Sequence, residues 1–536
     1  MEIPQKPSDL DLVTQDGKDE WRELQQYAIG AITEAFKTHK FVMANMPTGS
    51  GKTIVGAAVA RMLGLPSLSL THTIQLQEQY RNTLPWAGVM TGRSNYLCKR
   101  YKPELQVTAA NAQSLCLNCP FNKKVATDCD YYKMFHKTVM QEEVILNYAY
   151  ATRILKSGAF TRKLLICDEA DLVEGALVDA VKLEFNLDEW YKEDLPLPPG
   201  VDADYYTWET WAYEVQPELT QWAASLVAAL DVGVDEHGDR LPPNRADVRQ
   251  LNIVRRLAEL VDTIINVVDG DTWVVTGDSD KAVVRPIWGM TVADTSLWKH
   301  SERVLLMSAT LGNPKILATK LGIAEEDYKY LDFPSTFPVE NRLNYYWPVA
   351  KINKDSGDAD WDTLASAIEF VGSHHLGEKG LIHCGSYKIG KELYRRLSTN
   401  SERYILQTPR HRIEDLARFT SSDEPLVMVT PSFSTGLDLP YAIGWQVIAK
   451  MPFGNLGDQV VRLRRDTEID GKPFGRKNYD AEAINTVIQA CGRAVRSPDD
   501  KGTNYILDGN FWNLAKRSFT PPYFKESIRW LEKEKT

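Results

Sequence analysis

FVMANMPTGSGKTIVGAAVARML, residues 41–63, is the stretch on which the fold turns. Phe41-Val-Met-Ala is a short apolar run that fits a buried strand. Pro47-Thr48-Gly49-Ser50-Gly51 follows, and glycine there permits the dihedrals that turn successive amides toward phosphate oxygens. From Thr53 to Leu63 the chain reads as a helix rich in Ala and Val. Strand, glycine loop and helix in that order form the context of a phosphate-binding loop. Lys52 would reach the β- and γ-phosphates and the Thr53 hydroxyl would hold Mg²⁺, which points to ATP as cofactor. Met46 stands where the pattern usually begins with glycine.

Working outward, Trp21, Leu24, Ala28, Ile32 and Phe36 recur near helical spacing, so residues 20–37 are expected to be helical. Pro66–Leu70, Lys163–Cys167 and Arg303–Met307 read as further buried strands. From about residue 331 a second block begins, with strands expected at Gly380–Cys384, Pro425–Val429 and Gln446–Ala449. Strands alternating with helices imply parallel sheets flanked by helices, with ligands at the strands' carboxyl ends. Residues 176–285 carry Trp190, Trp208, Trp211 and Trp222 with many acidic residues, and read as a mainly helical insertion that buries those rings in its own core.

Two further motifs complete a hydrolytic site. Asp168-Glu-Ala-Asp171 ends a hydrophobic strand, and phosphoryl transfer to water requires one carboxylate for Mg²⁺ (Asp168) and one to activate water (Glu169). Gln489-Ala-Cys-Gly-Arg-Ala-Val-Arg496, if helical, sets Gln489, Arg493 and Arg496 on one face, where two guanidiniums can meet a γ-phosphate across a cleft.

Cys98, Cys116, Cys119 and Cys129 lie between the phosphate loop and the acidic motif. Four thiolates can close around zinc or a 4Fe–4S cluster, and the spacing does not choose between them. Around them Lys99, Lys133 and Lys137 interleave with Tyr96, Tyr131 and Tyr132, a mixture that suits backbone attraction plus base stacking. Cys167, Cys384 and Cys491 read as small core residues. The net charge of −10 does not favour a nucleic-acid binder, but the sum over a surface says little about a local groove. No apolar run approaches the roughly 18 residues of a membrane span, and the first residues do not resemble a signal peptide; the reading is an intracellular protein without membrane contact.

The ordered set resembles superfamily 2 helicases, specifically the XPD/DinG group of iron–sulfur DNA helicases. Arg22-Glu-Leu-Gln25 resembles the adenine-reading element, Thr71–Gln75 the first DNA-contacting motif, and Gly92–Cys98 the entry to the cluster. Asn147–Tyr150 resembles the stretch before the acidic motif, Ser308–Leu311 the coupling motif, Lys450–Phe453 the strand end after the fifth motif, and Gln489–Arg496 the arginine-finger motif. Thr435-Gly436-Leu-Asp438 resembles the fifth motif, with Gly436 and Asp438 at the nucleotide. Asp171 stands where the group commonly has His, and Thr435 where it often has Glu.

The resemblance implies an α/β fold of two RecA-like lobes, the first carrying an iron–sulfur insertion and a helical arch-like insertion. The expected divisions are 1–90, 141–175 and 286–330 for the first lobe, 91–140 for the iron–sulfur module, 176–285 for the arch, and 331–536 for the second lobe. It implies a 4Fe–4S cluster on the four cysteines and ATP-driven 5′–3′ movement on single-stranded or forked DNA by a monomer. It also leaves room for a protein partner at the helical insertion and suggests a prokaryotic cytoplasm or nucleoid. Rival readings are a DNA translocase or remodeller, and an ATP-gated sensor of DNA structure.

Overall fold

The computed structural model describes residues 3–531, apart from 15–16, 48, 100–105, 111–127, 194, 231–244, 400–401, 433–442 and 496–499. Two seven-stranded sheets dominate it. The first runs in the order Tyr328–Asp332, Phe41–Asn45, Arg303–Ser308, Leu164–Asp168, Ser67–Thr71, Glu143–Asn147 and Gly88–Val89. Every pairing in it is parallel. Its central strands are buried along their whole length, which is why Phe41–Asn45 and Leu164–Asp168 open as apolar runs rather than alternating ones. Helices Gln25–Ala35 and Lys52–Leu63 pack their apolar residues on one face of this sheet. Tyr148–Ile154 and Val173–Val181 cover the other face.

The second sheet is also parallel, in the order Tyr404–Leu406, Val427–Thr430, Gly380–His383, Trp445–Ile448, Thr503–Asp508, Asn344–Ala350 and Ile528–Trp530. Two RecA-like lobes are therefore present, as expected.

The segment between the last two motifs of the first lobe is mainly helical, as expected, but it also carries a small sheet that was not expected. Helices Tyr205–Leu230 and Arg245–Asn266 pack together, but they stand on a three-stranded antiparallel sheet of Leu183–Asn186, Lys281–Pro286 and Trp273–Gly277. Lys281–Pro286 alternates exposed and buried positions, a period-two signal too short to show in the composition of a hundred residues. Trp190, Trp208 and Trp211 are buried around Phe185, with ring centroids 5.1–6.1 Å from it, so these rings form a core. The helix expected over 20–37 begins only at Gln25: Leu24 adopts a left-handed φ of 67°, and the Arg22 amide donates to Gln25 Oε1 instead.

Candidate active site

The phosphate loop leaves the carboxyl end of strand Phe41–Asn45 and enters helix Lys52–Leu63. Gly49 and Gly51 both take φ of 78°, a conformation costly for residues with a Cβ. The Gln25 amide donates to the Ser50 carbonyl at 3.0 Å, and Arg22 Nη1 donates to the Gly49 carbonyl at 2.9 Å. The adenine-reading candidates thus grip the back of the loop. A cavity of about 60 Å³ opens beside them, lined by Val13, Glu20, Arg22, Gln25, Gly51 and Thr53. The Ser50 hydroxyl is buried within the loop and meets no hydrogen-bond partner among the described residues. An orphaned hydroxyl amid two left-handed glycines fits a bound phosphate. Thr48 lies outside the described residues.

Asp168 closes its strand and is only 6% exposed. Burial raises its carboxyl above the ordinary value, with the Lys52 charge acting the other way. Its Oδ1 accepts from the Glu169 amide at 3.0 Å, and Tyr148 Oη donates to its backbone carbonyl at 2.8 Å. Tyr148 is presented by a helix whose cap is Asn147, which accepts from the Tyr150 amide at 2.8 Å. The Asn147–Tyr150 stretch therefore braces the acidic motif from behind. Glu169 takes a left-handed φ of 50°, which re-aims its side chain after the strand. Its carboxyl is pushed up to about 7 by burial first, then by Asp168 and Asp171, while Lys52 and Arg493 oppose the rise. A carboxylate poised near neutrality suits a general base. Asp168, Thr53 and Lys52 together form an oxygen-and-cation set that fits Mg²⁺ and phosphate.

Asp171 binds the lobes together. It accepts from the Ser308 hydroxyl, from Thr310 Oγ1 at 3.2 Å, and from the Gln489 amide of the second lobe. Gln489 also donates to Thr310 Oγ1 at 2.9 Å. One carboxylate thus joins the acidic motif, the coupling motif and the arginine-finger motif. The helical face expected to carry Gln489 and Arg493 together does not form. Helix Phe474–Cys491 stops two residues after Gln489, with Gly492 as its cap, and Arg493 lies in the turn beyond. Gly492 keeps right-handed backbone angles, so the helix closes in a turn rather than a left-handed glycine cap, and Arg493 leaves the helix surface there. Its charge reaches Glu169 across the cleft. Arg496, Gly436 and Asp438 lie outside the described residues.

A buried polar ladder, unforeseen from the sequence, sets the end of that helix. His383 meets Gln446 Oε1 at 2.9 Å; Gln446 Nε2 donates to Asn504 Oδ1 at 2.7 Å and to the Ala490 carbonyl at 2.8 Å; Asn504 Nδ2 donates to Asn344 Oδ1 at 2.8 Å. Four strand residues scattered over the second lobe thereby fix the residue after Gln489. Only a run of polar residues inside otherwise apolar strands could have signalled it.

Of the cysteines, Cys98 and Cys129 are half-buried, and Cys116 and Cys119 lie outside the described residues. Cys98 follows the antiparallel bridge between Leu97 and Thr108, and Cys129 caps helix Asp130–Val139. Lys99 pairs with Asp130 at 2.9 Å and with Asp128 at 3.3 Å, which ties the two ends of the segment together. Among the described residues no three Cys, His, Asp or Glu side chains gather as a metal site would need. Tyr131, expected to stack on bases, is instead buried with Tyr150 and Tyr96, because its hydroxyl finds Tyr150 at 2.8 Å inside the lobe. Lys133 is occupied by Asp128 at 2.6 Å. Cys167, Cys384 and Cys491 are buried core residues, as expected.

A RecA-like two-lobe fold with a candidate nucleoside-triphosphate site at the lobe interface is the class these features define. Residues 372–531 match the helicase C-terminal domain family, and residues 18–170 match the family of the type III restriction enzyme res subunit. Among solved structures the fold is similar to an XPD helicase (17% identity, TM-score 0.60), covering 96% of this chain and 100% of that one. It is similar also to Xpd4 of S. tokodaii (14%, 0.56) and to an apo XPD (14%, 0.55), each covering 95% of this chain and 100% of the other. Among curated proteins none matches the chain. The second lobe thus matches a helicase C-terminal domain, and the fold of the whole chain is the one seen in XPD helicases. Helicases of this kind work on ATP with Mg²⁺ and bind nucleic acid. No helix among the described residues is long and apolar enough to cross a membrane.

Proposed function

We propose that the chain is an ATP-dependent DNA helicase that travels 5′ to 3′ on single-stranded DNA and opens forked duplex. The observation that carries the reading is the Asp171 junction, where the carboxylate motif of one lobe is hydrogen-bonded to Gln489 of the other. Hydrolysis and lobe movement then share one residue. Lys52, Thr53 and Asp168 would hold the phosphates and Mg²⁺, whose charge offsets that developing on the leaving group. Gly49, Ser50 and Gly51 would line the phosphates, with Pro47 at the loop's entry, and Arg22 and Gln25 would meet the base. Glu169 would take the proton of the attacking water, with Arg493 (and Arg496) facing the γ-phosphate.

Cys98, Cys116, Cys119 and Cys129 would hold a 4Fe–4S cluster that orders a loop-rich segment too small to build its own core. Within this reading the protein acts as a monomer in a prokaryotic cell, and the insertion stays available to a protein partner. The test is unwinding of 5′- and 3′-tailed duplexes by anaerobically purified protein. Unwinding confined to 5′-tailed substrates, abolished in Lys52→Ala, is expected. Hydrolysis that polynucleotide does not stimulate, with neither substrate unwound, would refute it.

A further inference from the structure

Tyr80 is a buried polar group that the site as described does not use. It belongs to helix Ile74–Thr83, which starts at the Thr73 cap immediately after strand Ser67–Thr71. Its side chain is 1% exposed and packs in the apolar cluster beneath helix Lys52–Leu63. The hydroxyl stands against both the Asp168 carboxylate and the Thr53 hydroxyl, yet among the described residues it closes no full hydrogen bond. An enclosed hydroxyl with no partner is costly, on the order of 1–3 kcal/mol, so its retention asks for a state in which it is bonded.

Proton bookkeeping at the metal site supplies that state. A threonine hydroxyl that ligates a cation does so through a lone pair, and its proton must then go to another acceptor. Asp168 is already engaged at Oδ1 by the Glu169 amide. The tyrosine oxygen is the group in reach of both residues: it can accept the Thr53 proton and donate its own to the carboxylate.

We propose that Tyr80 is a positioning residue of the divalent-metal site, ordering Thr53 and Asp168 through a Thr53→Tyr80→Asp168 hydrogen-bond chain. This rests on the reading of Thr53 and Asp168 as the Mg²⁺ ligands. A group that orients metal ligands typically changes metal affinity 10–100-fold when removed. Tyr80→Phe removes one oxygen and keeps the ring that packs the core.

The probe is Mn²⁺, whose free and bound forms are counted by electron paramagnetic resonance in the presence of saturating ADP. ADP binding in EDTA is measured alongside by equilibrium dialysis. The expected result is Mn²⁺ affinity about 10-fold or more weaker in Tyr80→Phe, with metal-free ADP binding within about twofold of wild type. Melting of the variant in EDTA should be unchanged or raised, since an unpartnered hydroxyl has been deleted. Mn²⁺ affinity equal to wild type overturns the proposal. So does an equal loss of metal-free ADP binding, which would place the hydroxyl's role at the nucleotide. A wild-type protein that binds no Mn²⁺ with ADP would refute the ligand assignment itself, a separate failure.

Discussion

Glu169→Gln should cut hydrolysis sharply and, at neutral pH, make the metal-free protein more stable. The Glu169 carboxyl is raised from 4.5 to about 7, chiefly because burial penalises its charge. The folded protein therefore keeps this proton up to about pH 7, whereas the unfolded chain releases it near 4.5. Across that window the folded state holds more protons, so stability falls as pH rises. Below the unfolded value the group costs nothing. Above about 7 the whole shift is felt: about 2.5 units at 1.36 kcal/mol each is about 3 kcal/mol. Glutamine has nearly the same shape and no proton to lose. Its stability advantage over wild type should open from near zero at pH 4.5 to about 3 kcal/mol above pH 7. Asp168 is raised by burial too, and removing the neighbouring charge relieves it in the same direction. The assay is urea denaturation in EDTA at a series of pH values, comparing midpoints of the two proteins. Added Mg²⁺ with ADP should shrink the gap, because a cation stabilises the ionised carboxylates. Hydrolysis should fall by about 10²–10⁴, the span a positioned base contributes. A stability difference that does not change with pH, or that has the opposite sign, would refute the reasoning.

Three other outcomes follow from the geometry. Arg464 forks onto Glu174 of the first lobe at 2.8 and 2.9 Å and lies 4.0 Å from the Trp288 ring centre, so Arg464→Ala leaves a buried carboxylate unpaired. The cost should be about 3–5 kcal/mol, read as a lower denaturation midpoint. Burial alone would raise the Glu174 carboxyl, but Arg464 and Lys320 hold it below its ordinary value, so wild type loses the pair's contribution in acid and the gap between the two proteins should close as pH falls through and below the ordinary carboxylate range. Gly51→Ala puts a Cβ 2.2 Å from Gln25 Nε2 at a left-handed φ; it should cost about 1–3 kcal/mol of strain and weaken nucleotide binding measured by calorimetry. Cys119→Ser should bleach the visible absorbance of anaerobically prepared protein and cripple unwinding, whereas a colourless wild type carrying zinc would favour the other metal.

The phosphate loop, the acidic strand end and the alternation of strands and helices were legible in the sequence because each depends on neighbours within about a dozen residues. A glycine turn between a buried strand and a helix has few uses, and the motif order along the chain brought the family into view. The antiparallel sheet under the insertion was not legible, because its strands are short and the first lies about 90 residues before the hairpin of the other two. Nor was the end of the helix after Gln489, since propensity allowed it to run on through Arg493.

Tertiary structure alone decided which polar groups meet. Asp171 and Gln489 are 318 residues apart, Glu174 and Arg464 are 290 apart, and the ladder from His383 to Asn344 joins four strands of one sheet. Tyr80 reads as one more apolar position of a helix until folding sets its hydroxyl against Asp168 and Thr53. Hydrogen bonds act over about 3 Å and carry no trace along the chain, so their partners become definite only when packing has brought the strands into register.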